Sequence, residues 1–473
     1  MARTLIKDTV NKVGEEVELY GFVDTKRDHG KVTFVDLRDR TGKVQIVGYK
    51  MLSELKVETV IKVVGKVNAR PEKQVNPDLA TGTVEIDVKK YEVLAPAQDL
   101  PILVEGDGRD INEEMRLKYR YLDLRRERMA RNIRLRHDFI RLLRQNLYAE
   151  DFLEIETPIL SKATKEGARD FLVPSRLHPG DFYALPQSPQ QYKQLLMTAG
   201  FERYFQVARC FRDEDLRADR LLELTQLDLE MSYVFQITDV MSLVEKVVKA
   251  VLKQLGCKLQ SDPFPVYQYA DAMKKFGADR FDLRTPEEKK DGTLAFAWVV
   301  GFPFFKQVDR SDAAEVIDGK SGWTFTHNPF SAPLPEYLED HLAGRNIPQI
   351  VAAQYDLVCN GLEVGGGSLR AHTREILTAT YKIMGYSDEE IESGVGHMLQ
   401  AFDYGTPPHG GIALGVDRFV SVITGEQSVK EVVAFPTTGS GKTAIMEAPA
   451  PVTGKQLAEL DLQVVTSKKK GSA

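Results

Sequence analysis

One stretch constrains the fold of this chain more than any other: residues 203–233, RYFQVARCFRDEDLRADRLLELTQLDLEMSY. From Tyr204 to Phe211, aromatic and aliphatic residues alternate with other side chains, which predicts a strand. From Leu222 to Tyr233, Leu222, Leu224, Leu227, Leu229 and Met231 interleave with Glu223, Thr225, Gln226, Asp228 and Glu230, and a second strand is expected. Between them lies a charged loop holding Arg212, Arg217, Arg220, Asp213, Glu214, Asp215 and Asp219. Two strands around such a loop make an antiparallel hairpin. Guanidinium forks suit phosphate oxygens, and the acids can orient the forks or hold a metal. On charge alone the loop reads first as a solvated hairpin tip.

With 473 residues the chain has length for two or three domains. Its 63 basic and 69 acidic residues give a net charge of −6, so a nucleic-acid partner would have to use local basic patches. Cys210, Cys257 and Cys359 are too scattered for a zinc site or a disulfide framework, which fits a reducing cytoplasm. No apolar run reaches the length of a membrane span.

Residues 15–95 carry short β patterns separated by turn signals such as Asp39-Arg40-Thr41-Gly42, and a five-stranded oligonucleotide-binding barrel over 1–100 is expected. On it Arg27, Phe34, Gln45, Arg70, Asn76 and Glu85 offer a stacking ring, phosphate-binding arginines and groups for base edges. Phe34 by itself reads as core. Residues 101–125 have linker composition, with Pro101, Gly106 and Gly108. LKYRYLDLRRERM opens a long amphipathic helix, residues 236–256 predict another, and residues 266–284 a further short unit. An α+β domain on an antiparallel sheet, 126–465, and a basic flexible tail, 466–473, complete the organisation.

FRDEDLR followed by TQLDLE resembles motif 2 of the class II aminoacyl-tRNA synthetases, in their bacterial aspartyl form. FLEIETPILSKATKEGARDF resembles motif 1, and HGGIALGVDRFV motif 3, in the expected order. The resemblance implies ATP-dependent attachment of L-aspartate to tRNA through aspartyl-adenylate, on tRNA for aspartate and, with His29 in the turn Arg27-Asp28-His29-Gly30, for asparagine also. An asparaginyl-tRNA synthetase, or a non-catalytic RNA-binding derivative, shares the architecture. Arg212, Glu363 and Arg418 are the implied catalytic residues. Glu166, Ser188, Gln190, Lys193, Arg212, His327 and Arg370 are implied for aspartate, Glu166 for its ammonium and Lys193 and Arg370 for its side-chain carboxylate. For ATP the match gives Arg212, Asp213, Glu214, Leu221, Gln226, Glu363, Gly415, Val416, Asp417 and Arg418, with the glycines of motif 3 (Gly410, Gly411, Gly415) permitting close backbone approach to a nucleotide. Asp356 and Glu363 would hold Mg²⁺. The barrel residues, with His29, would read the anticodon, which reverses the reading of Phe34. Pro158, on its own only an element boundary, implies a homodimer.

The chain departs from the family at three places. TPEEKKDGT stands at 285–293, where an inserted domain is usual; Leu224 replaces an adenine-stacking Phe; and Asn328 replaces the second His of a His-His-Pro-Phe loop. TTGSGKT, 437–443, mimics a phosphate-binding P-loop, but Pro436 occupies the position of its first glycine.

Overall fold

The computed structural model describes residues 2–164, 166–308, 321–443 and 445–465. The expected tail at 466–473 lies outside the described residues. The chain divides into two compact units, Met1–Leu103 and Val104–Ala473.

The first unit is a closed barrel of five strands, β1 (Glu16–Asp28), β2 (Val32–Asp39), β3 (Gly42–Tyr49), β4 (Val60–Ala69) and β5 (Val84–Ala95), in the order β1-β2-β3-β5-β4. Alternate residues such as Val17, Leu19, Val35, Leu37, Val44 and Ile46 fill the interior, and closure removes the exposed edges an open sheet would leave. A register shift between Val23 and Thr25 marks a bulge that bends the long β1 around the barrel.

In the second unit, α1 (Glu113–Lys118), α2 (Arg120–Asp123) and α3 (Glu127–Tyr148) come first. β6 (Leu153–Glu154) and a small hairpin, β7 (Leu172–Pro174) with β8 (Phe182–Ala184), follow; then come α4 (Gln190–Thr198), β9 (Arg203–Phe211), β10 (Glu223–Ser232) and α5 (Ile237–Gln254). Strands β11 (Val266–Gln268) and β12 (Phe296–Val300), the hairpin β13 (Phe305–Gln307) with β14 (Trp323–Phe325), then β15 (Gln354–Cys359), β16 (Leu362–Leu369) and β17 (His409–Gly415) complete the strands. Eight form one sheet in the order β11-β12-β15-β16-β17-β10-β9-β6, antiparallel except at the pairs β11/β12 and β6/β9. The expected hairpin is β9/β10, with Leu227 opposite Val207.

One face of the sheet buries Phe205, Leu227, Leu229, Ile412 and Leu414 against Phe139, Leu143 and Leu147 of α3 and Val244, Val248 and Val251 of α5. Each such side chain contributes roughly 1.5–3 kcal/mol when taken fully from water. The other face of β10 carries Gln226, Asp228 and Glu230, 9%, 1% and 0% exposed. Because side chains alternate along a strand, the same ten residues build a core on one side and the floor of a polar site on the other.

The stretch expected as a linker, 101–125, is largely something else. It holds α1 and α2, and three of its charged residues, Arg116, Arg120 and Asp123, are buried. Arg116 grips Glu431 with two bonds of 3.0 and 2.7 Å, and Arg128 bridges Glu426 at 2.7 Å and Glu431 at 2.8 Å. Asp123 accepts from Arg120 and Arg126, each at 2.8 Å. Burial opposes ionisation of Glu431, yet the surrounding arginines, Arg116 first, hold its carboxyl down to about 2. Polar composition mimics a linker here because Arg116 and Arg120 find buried partners at Glu431 and at the Lys430 and Ala434 carbonyls, between 310 and 315 residues away. At the site of the usual insertion, a single turn of helix, Pro286–Lys290, is closed by a reciprocal capping box between Thr285 and Glu288.

Candidate active site

A cavity of about 250 Å³ opens on the polar face of β10, β16 and β17. Glu166, Ser188, Gln190, Lys193, Arg212, Glu214, Leu221, Gln226, His327, Glu363, Gly415, Asp417, Arg418 and Arg370 all line it, together with Leu224 and Asn328. Residues spread over 250 positions of sequence thus meet because antiparallel pairing sets β16 and β10 on either side of β17.

At its deep end stand two buried cations and two buried acids. Arg370, 2% exposed, donates from Nε and Nη2 to the Glu230 carboxylate at 2.9 and 3.3 Å, from Nη1 to Ser368 Oγ at 2.8 Å and from Nη2 to the Gly411 carbonyl at 3.2 Å. Lys193 Nζ lies 3.1 Å from Asp228 and 3.2 Å from Glu230. Burial would raise the carboxyl of Glu230, but Arg370 and Lys193 outweigh it and hold it low. Asp228 is pushed up, because burial exceeds the help of Lys193, and its Oδ2 is buried without a hydrogen-bond partner among the described residues. Such an atom costs about 1–3 kcal/mol unless something polar meets it. Asp228 was not singled out from sequence. The signal was present, since three polar residues at alternate positions of an otherwise buried strand mark a functional face.

Beside this group, Ser188 Oγ donates to Glu166 at 2.6 Å, and burial pushes the Glu166 carboxyl up to about 7. His327 Nε2 sits 3.2 Å from Asp356 Oδ2; burial lowers its basicity, but the Asp356 carboxylate prevails and raises it.

The outer end is looser. Arg418 donates to the Glu363 carbonyl at 3.0 Å and to Asp219 at 3.2 Å, with the Glu363 carboxylate 3.7 Å away. Arg212 donates from Nε to the Gln187 carbonyl at 3.3 Å, and Arg220 pairs with Glu214 at 3.1 Å. Leu221 and Leu224 supply the apolar surface there.

Several expected site residues do other work. Val416 is fully buried in the main core, so it offers a nucleotide no side chain. Asp417 accepts from the Thr225 backbone N–H at 3.1 Å and pairs with Arg136 of α3, which ties α3 and β10 together at the cavity wall. Asp213 is not in the cavity lining; its backbone N–H bonds the Arg169 carbonyl at 3.0 Å. Gly411 makes room for Glu230 rather than a nucleotide, since a Cβ there would fall 2.1 Å from Glu230 Oε2. Gly410 packs on Leu369 and Val234, whereas Gly415 has no atom nearer than 3.8 Å to such a Cβ and does leave an open approach. Asn328 turns its carbonyl oxygen back to the Phe330 N–H at 3.0 Å, a local turn that asparagine favours. TTGSGKT closes on itself, with Thr437 bridged to Thr443 and the Thr438 N–H donating to the Lys442 carbonyl at 2.8 Å.

Asp356 and Glu363 converge over Gly366, where a Cβ would lie 3.1 Å from Asp356 Oδ1 and 3.3 Å from Glu363 Oε1. Burial, and next the Asp356 charge, raise the Glu363 carboxyl. Two carboxylates sharing one small space suit a hard divalent cation that completes its shell with phosphate oxygens. No group of three or more His, Cys, Asp or Glu positioned for a metal occurs among the described residues.

On the barrel, Arg27 Nη2 reaches Asp36 at 3.3 Å and Gln45 Oε1 at 3.2 Å, and Gln45 donates to Glu85 at 2.9 Å. Arg70 Nε lies 3.9 Å from Glu85. These residues form one polar chain across β1, β2, β3 and β5. Phe34 is half-buried, outside the barrel core, edge-on to His29 at 5.7 Å between ring centres. Asn76 serves a turn, its Oδ1 accepting from the Asp78 N–H at 3.0 Å.

The family model of the class II tRNA synthetases (D, K and N) matches residues 112–439, and that of the OB-fold nucleic acid binding domain residues 17–94. The chain is 39% identical to an aspartate–tRNA(Asp/Asn) ligase of Syntrophomonas wolfei, over 96% of this chain and 98% of that protein. It is 38% identical to the enzyme of the same name from Corynebacterium jeikeium, over 95% of each. The first alignment runs to 578 positions against 473 residues here, so sequence on the scale of a domain has no counterpart in this chain. Among solved structures, an aspartyl-tRNA synthetase of Entamoeba histolytica superposes with a TM-score of 0.71 at 20% identity, over 92% of this chain and 91% of that one. An asparaginyl-tRNA synthetase of Pyrococcus horikoshii with asparaginyl-adenylate gives 0.71 at 23%, over 93% and 98%. At these identities the structural likeness speaks for the fold alone.

Proposed function

The chain belongs to the class II tRNA synthetases of the D, K and N group, and from that premise we propose that it joins L-aspartate to tRNA in two steps. In the first, an α-carboxylate oxygen of aspartate attacks the α-phosphorus of ATP and pyrophosphate leaves. In the second, a terminal ribose hydroxyl of tRNA attacks the acyl carbon of the adenylate, and AMP leaves.

The observation that carries aspartate over asparagine is the deep pair Arg370 and Lys193. Both are buried, line the cavity and can only donate hydrogen bonds, so a carboxylate with two acceptor oxygens suits them, whereas an amide would turn an NH₂ donor toward one of them. Glu166 and Asp228, with the Ser188 hydroxyl bonded to Glu166, form the acidic wall for the ammonium. Arg212 faces the reacting carboxylate and α-phosphate, and Arg418 the distal phosphates, where fixed cations offset charge as it builds on oxygen. Asp356 and Glu363 are the residues that would hold Mg²⁺, which when bound neutralises phosphate charge. Pyrophosphate exchange tests the assignment: exchange that depends on aspartate supports it, whereas dependence on asparagine, or no exchange, overturns it.

The relatives bear names that give both tRNA(Asp) and tRNA(Asn), and we extend this dual choice to the present chain, with His29 at the barrel surface as the residue concerned. kcat/KM values for the two tRNAs within about tenfold support it, and a ratio of roughly a thousand favouring tRNA(Asp) overturns it. A homodimer through the motif 1 segment around Pro158 and a cytoplasmic location complete the proposal. Leu153, Ile159 and Leu160 of that segment are exposed, and all three cysteines are free. No helix among the described residues is long and apolar enough to cross a membrane.

A further inference from the structure

Behind the amino-acid end of the cavity lies a chain of buried polar groups, of which Gln190 lines the cavity and Gln194 and His409 do not. Gln190, Gln194 and His409 are 7%, 0% and 1% exposed. Gln190 Nε2 donates to Gln194 Oε1 at 3.0 Å, and Gln194 Nε2 is 3.0 Å from His409 Nε2 and 3.3 Å from the Ala371 carbonyl. His409 Nδ1 is 2.8 Å from the Pro407 carbonyl.

Two backbone carbonyls determine the direction of every bond in this chain, because a carbonyl oxygen only accepts. Pro407 requires that His409 carry its proton on Nδ1, which leaves Nε2 as an acceptor. Ala371 requires that Gln194 turn its NH₂ inward, where the same group also donates to His409. Gln194 Oε1 then faces Gln190 and takes a donor. Gln190 has only its NH₂ to give, so its carbonyl oxygen is left as the group it offers to the cavity that it lines. Burial also pushes the His409 imidazole down to about 4, consistent with the neutral tautomer at neutral pH.

We propose that Gln194 and His409 are positioning residues, a relay that locks the Gln190 amide with its oxygen toward the substrate and thereby makes it a receptor for the aspartate ammonium. The ammonium is the one cationic donor that aspartate has, and an acceptor oxygen distinguishes it from both carboxylates. The inference rests on the assignment of this cavity to aspartate. Sequence supports the geometry locally, since positions 190 and 194 are one helical turn apart on α4 and share a face. His409 enters from the first residue of β17, and its own carbonyl accepts the Arg370 backbone N–H at 2.9 Å. The relay and the carboxylate-binding arginine therefore meet at neighbouring strand ends, His409 at the start of β17 and Arg370 just past β16.

Gln194→Met removes the acceptor that holds Gln190. In pyrophosphate exchange the KM for aspartate is expected to rise about tenfold, the scale of one hydrogen bond to a charged group, with kcat and the KM for ATP within about threefold of the parent. Succinate, which is aspartate without its ammonium, is the control ligand, and its inhibition constant should stay unchanged. His409→Leu should follow Gln194→Met in part, and His409→Gln, which can return an acceptor near the position of Nε2, should restore the parent KM. In a Gln190→Met background, Gln194→Met should add nothing further.

Equal loss of succinate and aspartate binding would mean that these residues merely maintain the pocket, and would overturn the relay. So would full additivity with Gln190→Met. If Gln190→Met weakens aspartate while Gln194→Met and His409→Leu do not, the relay fails and the cavity assignment stands. If Gln190→Met leaves aspartate binding unchanged, the relay falls with the assigned role of Gln190.

Discussion

The two ends of the cavity are built on opposite principles. At the deep end, Arg370, Lys193, Asp228 and Glu230 are at most 2% exposed and already paired, with Gln194 and His409 behind them. At the outer end, Arg212, Arg220 and Arg418 are half-buried, and their partners include loop carbonyls and the acids of the charged hairpin loop. A small amino acid must be told from near-identical rivals, and discrimination comes from buried groups that a wrong ligand leaves unmet. A triphosphate carries its own strong charge and tolerates a looser grip. The departures Leu224 and Asn328 fit this division: Leu224 lines the outer end, and among the described residues Asn328 bonds the Phe330 N–H and Ser331 rather than the four buried charges.

The largest expected effect is that of Arg370→Leu. It leaves Glu230 buried with Lys193 as its remaining cation, and breaking a buried pair costs about 3–5 kcal/mol. Aspartate-dependent exchange should fall roughly a thousandfold or more while ATP binding, read by equilibrium dialysis, is retained. Loss of ATP affinity with an unchanged preference for aspartate would erase the distinction between the two ends. Arg418→Ala is the converse test. It should raise the KM for ATP about tenfold to a hundredfold, leaving the KM for aspartate within about threefold.

The acidic wall gives a pH test. The carboxyl of Glu166 lies at about 7, raised by burial, so it loses its charge as pH falls through neutrality. As the acceptor of an ammonium it works only when ionised. kcat/KM for aspartate should therefore decline below pH 7, approaching tenfold per unit, with the KM for ATP nearly flat over the same range. Ser188→Ala removes a hydrogen bond that favours the ionised form, and should move the inflection to higher pH. A flat aspartate profile would separate Glu166 from the ammonium. The smallest effect is a gain: Leu224→Phe returns a ring to the outer end and should lower the KM for ATP severalfold, on the order of 1 kcal/mol. No change would mean that adenine rests elsewhere.

The barrel, the hairpin, the helices at 127–148 and 237–254 and the three motifs were legible because each is a local pattern, a period of two or 3.6 or a short string of residues. Tertiary packing then brings Lys193, Arg370 and Arg418, on two helices and just after a strand, to one cavity. What the residue string could not show was which charges meet. Arg116 and Glu431 stand 315 residues apart, and only their pairing turns an apparent linker into buried structure. Asp417 reads as a nucleotide ligand until Arg136 and Thr225 are seen to occupy its carboxylate. Gly411 reads as backbone clearance for a ligand until Glu230 fills the space. The direction of the Gln190 amide depends on carbonyls at 371 and 407, both remote in sequence. Periodicity is written along the chain, but the partner of a buried polar group is a property of space, and burial makes that partner obligatory.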